Sequence, residues 1–235
     1  MFFVMPKKPK VLRVDVLTVF PEMISGYTDL SILGRAQKAK LLDVRAHQLR
    51  DWSNDRHNRI DDKAYGGGPG MVMRAEPFHR ALMALKLRDK KGKKTAASKK
   101  TRIILTSAKG KLFEQADAKR LASYDRLVFL CGRYEGVDER VAEHLVDEEL
   151  SIGPFVMTGG ELAALVMTDA AARLRPGVLG KEASLEQESW SDGMQKEYPQ
   201  YTRPEDYNGW KVPKELLSGN HKDIENWRKG KSEGK

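Results

Sequence analysis

Residues 102–106 (RIILT) and 125–131 (DRLVFLC) are short, nearly continuous apolar runs. Runs of this kind suit strands buried on both faces, and so a parallel sheet covered by helices. Residues 113–122 between them read as the crossover helix that a parallel pair requires. Working outward, residues 11–20 (VLRVDVLTVF) alternate and are rich in β-branched side chains, which predicts a strand closed by Pro21. Residues 44–49 read as a second strand, and residues 151–157 (SIGPFVM) as a strand or tight loop. Helical spacing is present over 22–27, 35–42, 76–87 and 139–146. The helix over 161–173 is the most regular, and Arg175-Pro176-Gly177 stops it. The fold class this implies is α/β with a parallel sheet.

A chain of 235 residues accommodates one sizeable core, or one large and one small domain. With 40% hydrophobic and 32% charged residues it reads as soluble and globular. The single cysteine, Cys131, excludes an internal disulfide; without an activating histidine nearby in sequence it reads as a small buried hydrophobe. No apolar run approaches the roughly 20 residues that span a bilayer. The opening MFFVM-PKKPK has its charges after the apolar residues, the reverse of a signal peptide. The expectation is a cytoplasmic protein with no membrane partner. The net charge is +9, and residues 86–102 (KLRDKKGKKTAASKKTR) hold nine basic residues and one acid, Asp89. This basic insert carries nearly all of the excess. It reads equally as a solvated loop or as a contact for a polyanion. Residues 181–197 are polar and acidic without a strong period, and read as a linker. Residues 198–235 are too few to be stable by core size alone.

Candidate chemistry gathers at glycine-bearing turns that follow the apolar runs. They are Ser107-Ala108-Lys109-Gly110, residues 132–136 (GRYEG), and Ile152-Gly153-Pro154 with Thr158-Gly159-Gly160. In parallel sheets, ligands bind at the carboxyl ends of strands, and glycine permits close backbone approach. Three such turns are able to converge on one small molecule. No phosphate-cradling GxxxxGK[ST], dinucleotide GxGxxG, GxSxG elbow or zinc-spaced Cys/His set is present. Arg133 and Glu135 flank Tyr134, either as a local ion pair or with Glu135 offering a carboxylate to a ligand.

Residues 131–140 (CGRYEGVDER), 151–161 (SIGPFVMTGGE) and 175–180 (RPGVLG) resemble the tRNA (guanine-N1-)-methyltransferase TrmD family. So do residues 65–71 (YGGGPGM), 17–23 (LTVFPEM) and 201–221 (YTRPEDYNGWKVPKELLSGNH), in the family's order. The resemblance implies a SPOUT-like α/β domain, a parallel sheet with a deep trefoil knot, over residues 1–180. It implies a linker over 181–197 and a small helical tRNA-binding domain over 198–235, shorter than the family's. It further implies a homodimer with the active site between subunits, and methyl transfer from S-adenosylmethionine to N1 of guanosine 37, 3′ of the anticodon. The tRNA partner carries a guanosine before the target guanosine. Magnesium is implied too, with no metal ligands assignable. By motif, the cofactor contacts are Leu105 and Ser107 in the first knot loop. Gly132, Tyr134 and Glu135 stand in the second. The third contributes Ile152, Gly153, Val156, Met157, Gly159 and Gly160. Asp61, Asp62, Gly67 and Gly68 match substrate-side elements. The family's arginine, which faces guanine O6, falls on Arg173. Its general base, an aspartate, falls on Glu188, with Glu186 and Asp192 as competitors. The first knot loop reads LTSAKG where the family usually has a proline after the serine, and Pro154 replaces a common acid. Two other functions are alternatives: a related knotted methyltransferase acting on ribosomal RNA or at another position, against which residues 65–71 and the YTRP-bearing tail argue, and a non-catalytic RNA-binding protein, which the altered base would favour.

Overall fold

A computed structural model describes residues 10–180 and 197–232. The chain divides into two compact units, Met1–Gly180 and Lys181–Lys235. The first is built on β1 (Leu12–Thr18), β2 (Leu42–Gln48), β5 (Thr101–Leu112), β6 (Arg126–Cys131) and β7 (Glu148–Ser151). These form one five-stranded sheet of order β2-β1-β6-β5-β7, every neighbouring pair parallel. The parallel α/β expectation therefore holds. Between β2 and β5 lie the short antiparallel pair β3 (Asp61–Asp62) and β4 (Val72–Met73).

Helices cover both faces, as a sheet apolar on both sides requires. On one face α1 (Pro21–Thr28), α2 (Ser31–Lys38), α4 (Gln115–Ala122) and α6 (Glu161–Ala172) close over Val14, Val16, Ile104, Leu127 and Phe129. On the other, α3 (Ala75–Ala84) and α5 (Glu139–His144) cover Leu17, Ile103, Leu105, Val128 and Leu130. Consecutive residues of β6 thus enter opposite cores, which is why the run shows no alternation of polar and apolar residues.

Several predicted boundaries move. The helix expected over 35–42 is α2, which starts earlier and ends at Lys38, because Lys40 turns left-handed at φ +58 and the chain enters β2 at Leu42. The helix expected over 76–87 stops at Ala84, where Lys86 takes φ +60. Of the two readings of residues 151–157, a strand or a tight loop, the loop holds beyond Ser151. The strand is β7, Glu148–Ser151, and the apolar residues that follow it form a loop. β7 is an edge strand whose Glu148 accepts from Arg102 at 2.6 Å and Arg120 at 2.8 Å, so it carries no apolar run to betray it.

The second unit holds a hairpin of β8 (Asp206–Tyr207) and β9 (Trp210–Lys211), turned by Asn208 and Gly209 at φ +57 and +84. The helices α7 (Lys214–Leu217) and α8 (His221–Ser232) follow. Trp227 of α8 packs edge-on against Tyr198 and Tyr201 at 6.5 and 6.1 Å between ring centres. No helix among the described residues is long and apolar enough to cross a membrane.

Candidate active site

The carboxyl ends of β6, β5 and β7 lie side by side and open into a cavity of about 440 Å³. Each strand supplies one wall. On β5, Thr106 and Lys111 both face Leu150 of β7, so residues 107–110 bulge out of the ladder. The first glycine turn expected after a strand is therefore a bulge inside a longer one. Gly110 is required there: a Cβ would sit 2.7 Å from the Leu150 backbone nitrogen.

The second wall follows Cys131. Tyr134 takes φ +59, and the Gly136 amide donates to the Arg133 carbonyl at 3.1 Å, closing the turn. Arg133 makes no local pair with Glu135. Its guanidinium reaches Glu161 at the start of α6, with Nε–Oε1 3.2 Å and Nη2–Oε2 3.1 Å, and stacks 4.6 Å over the Phe20 ring. Glu161 is 1% exposed and also accepts from the Thr18 hydroxyl at 2.7 Å. One buried carboxylate thus ties the end of β1, the turn after β6 and the start of α6 together. Sequence reasoning missed it, because a glutamate in a first helical turn reads as a partner of the helix dipole.

The third wall, residues 152–160, returns from β7 across the end of β5 to β6. The Gly160 amide donates to the Gly132 carbonyl at 3.0 Å, and Arg133 and Gly159 form an antiparallel bridge. The crossing is tight: a Cβ on Gly160 would lie 1.9 Å from the Thr106 hydroxyl oxygen. Ser151 holds the loop's first turn by donating to the Gly153 carbonyl at 2.9 Å.

The cavity is lined by every residue expected to contact cofactor. Leu105 and Ser107 come from β5, and Gly132, Tyr134 and Glu135 from the second turn. Ile152, Gly153, Val156, Met157, Gly159 and Gly160 come from the third. Apolar side chains and glycine backbone line the cavity together with the carboxylates of Glu135, Glu139 and Glu149, a lining that suits a nucleoside without phosphates. Cys131 is buried, and burial pushes its thiol up, so it is a packing residue.

None of the expected substrate-side residues lines this cavity; the loop that carries Gly67 and Gly68 is tied to its second wall through Gly70, Met71 and Met73. The Glu135 amide donates to the Met71 carbonyl, and the Met73 amide to the Gly136 carbonyl, at 3.0 and 2.9 Å. Gly70 packs on Glu135, where a Cβ would come within 2.4 Å of Cγ. This zipper leaves Gly67 and Gly68 open to solvent at φ +79 and +116. Asp61 and Asp62 form β3, the strand that β4 pairs with below the loop. Arg173 is different. It caps the far end of α6, roughly 18 Å along the helix axis from Glu161 at 1.5 Å per residue. The chain does not bring it to its own cavity. Glu188, Glu186 and Asp192 lie outside the described residues. Among the described residues no group of three His, Cys, Asp or Glu side chains is placed to hold a metal ion.

A family model described as tRNA (Guanine-1)-methyltransferase TrmD matches residues 12–235. A protein of Geobacter metallireducens named tRNA (guanine-N(1)-)-methyltransferase is 49% identical over 94% of this chain and 86% of its own length. Proteins with the same name from Brevibacillus brevis and Staphylococcus carnosus are each 48% identical over 92% of this chain, covering 85% and 84% of their lengths.

Proposed function

Since the chain belongs to the tRNA (guanine-1)-methyltransferase TrmD family, and is thereby a tRNA (guanine-N1)-methyltransferase, we propose that it takes its methyl group from S-adenosylmethionine and places it on N1 of guanosine 37. The observation that carries this reading is the cavity where three glycine-bearing segments converge beyond the sheet. Residues 152–160 pass over the end of β5 to reach the turn after β6. That crossing supports a trefoil-knotted, SPOUT-like connection in the cytoplasmic enzyme.

The cofactor, when bound, supplies a methyl group already activated on a sulfonium. The chain's own residues then have to bind, orient and move one proton. Backbone amides of the three segments hold the nucleoside, and the Glu135 carboxylate at the rim suits a hydroxyl or cationic group. Guanine N1 carries a proton at neutral pH and attacks only after losing it. Glu188 takes the role of base. As the proton leaves, negative charge grows on O6, and the Arg173 guanidinium stabilises it more in the transition state than before it.

A homodimer reconciles this assignment with the position of Arg173. Leu162 and Val166 of α6 are half-exposed, and so are Met23 and Tyr27 of the adjacent α1. This apolar face suits a second copy, whose Arg173 would then serve the cavity. Asp61, Asp62, Gly67 and Gly68 are assigned to the anticodon-side RNA.

The test is methyl transfer to an unmodified tRNA transcript with guanosines at positions 36 and 37, read by nuclease digestion and mass spectrometry. We expect 1-methylguanosine at position 37 and none with adenosine there. Glu188→Gln should lower transfer by about 100-fold or more, the usual contribution of a general base, while cofactor binding by calorimetry is unchanged. Absence of 1-methylguanosine from the wild-type chain with cofactor bound would overturn the reading, and full activity of the variant would remove Glu188 from it.

A further inference from the structure

The basic insert is a built element. At its base Leu87 is fully buried, and the Arg88 guanidinium meets the Asp147 carboxylate at 3.1 Å with both side chains buried. Lys94 closes the same carboxylate from outside at 2.7 Å. Between these anchors the chain reverses in a tight hairpin. Arg88 and Lys94 bridge antiparallel, the Asp89 amide donates to the Lys93 carbonyl at 2.9 Å, and Gly92 takes φ +77. From α3, the His79 Nε2 bonds the Asp89 carbonyl at 2.8 Å.

Lys90, Lys91 and Lys93 share this turn with a single carboxylate, so the tip keeps a net positive charge. Its one acid, Asp89, accepts from the Lys93 and Lys91 amides at 2.8 Å each, and these bonds hold its carboxyl below the usual range. Lys90, Lys91 and Lys93 are exposed and form no ion pair among the described residues. A loop that served only solubility would need no buried arginine–carboxylate pair, whose desolvation is costly.

The hairpin also has a place relative to the site. A surface groove of about 1450 Å³ is lined by Lys90 and Lys91 and also by Asp62 and Tyr65. Glu139 lines both this groove and the cavity. Most of the groove's other charges are satisfied. Glu76 is held by Arg74 and Arg80 at 3.4 Å each, Asp138 by Arg140 at 2.6 Å, and Glu139 by Lys109. Lys90 and Lys91 line the groove without an ion pair among the described residues, as do Asp62 and Lys63.

We propose that Lys90, Lys91 and Lys93 form a preorganised phosphate-binding turn, which grips the RNA backbone of a substrate whose target base enters the cavity that adjoins the groove at Glu139. The inference rests on the reading of tRNA as substrate. Lysines act here as point charges, so the turn contributes affinity and register without reading sequence.

The experiment compares the full chain with the triple variant Lys90→Ala, Lys91→Ala, Lys93→Ala, and with the corresponding arginine triple. tRNA affinity is measured by fluorescence anisotropy across a salt series, beside steady-state turnover. Three lost phosphate contacts should flatten the slope of log affinity against log salt by about 2 to 3. Affinity at low salt should fall by at least about tenfold, with KM for tRNA rising and kcat unchanged. The arginine triple should behave as wild type. An unchanged slope and affinity in the alanine triple, or an equal loss in the arginine triple, would overturn the proposal. A wild-type chain that binds tRNA but forms no 1-methylguanosine would remove the proposed reaction, and the slope comparison would still decide the hairpin.

Discussion

Asp15 sits on β1 with no exposed surface, facing His47 at 2.6 Å, Arg126 at 2.6 Å and Arg13 at 2.9 Å. Burial alone would raise its carboxyl, but the hydrogen bonds from His47, Arg13 and Arg126 outweigh it and hold the pKa at about 2. A carboxyl depressed in the fold from 3.8 to about 2 stabilises the folded state by about 2 kcal/mol above the higher value. That contribution is lost as pH falls through the lower one. Asp15→Asn should therefore cost about 2 kcal/mol or more at pH 7 in urea unfolding, and the gap to wild type should narrow between pH 4 and pH 2. A gap that stays constant through this range would mean the carboxylate's charge is not what stabilises. Neither this cluster nor Glu161 was legible in the sequence. Glu161 meets Thr18 and Arg133, 143 and 28 residues away, and such partners are set by the sheet's pairing order. The cavity glycines were legible, because a short motif with bare backbone states its own requirement for close approach.

At the scale of elements, strands buried on both faces announced themselves. Residues 102–106 and 125–131 have no other stable place than the middle of the sheet, where β5 and β6 lie. β7 stayed hidden because an edge strand can carry Glu148 and Glu149 and be held by ion pairs as well as by packing. Helix α6 was legible in extent but not in use. Its inner face enters the core through Ala164, Met167 and Ala171, while Leu162 and Val166 remain 54% and 48% exposed. Tyr27 of α1 donates a hydrogen bond to the Asp169 carboxylate, so α1 extends the same exposed face. If a second copy covers it, Val166→Glu places a charge in the interface, at a position where a monomer loses little stability. Sedimentation should then show a monomer where wild type is a dimer, with unchanged circular dichroism and with transfer reduced at least about tenfold. A wild-type chain that sediments as a monomer, or a variant that remains a fully active dimer, would require another partner for this face.

At the scale of the whole molecule, the cavity and Arg173 lie at opposite ends of α6, roughly 18 Å apart at 1.5 Å per residue. A catalytic arginine so placed either belongs to the partner's cavity or has no part in the reaction. Subunit mixing separates the two. Gly160→Val closes a cavity by driving a side chain onto Thr106, and leaves Arg173 intact. Arg173→Ala does the reverse. In an isologous dimer the two patches exchange, so a mixed dimer would join the intact cavity of one chain to the intact arginine of the other. Random reassortment at equal concentration makes half of the dimers mixed, each with one working site of two. Two inactive variants should then recover about one quarter of wild-type activity on co-refolding. Each chain alone should stay near zero, which also guards against leakiness. If Arg173 instead served its own chain's cavity, each mixed dimer would hold one site lacking the arginine and one lacking the cavity, and mixing would recover nothing.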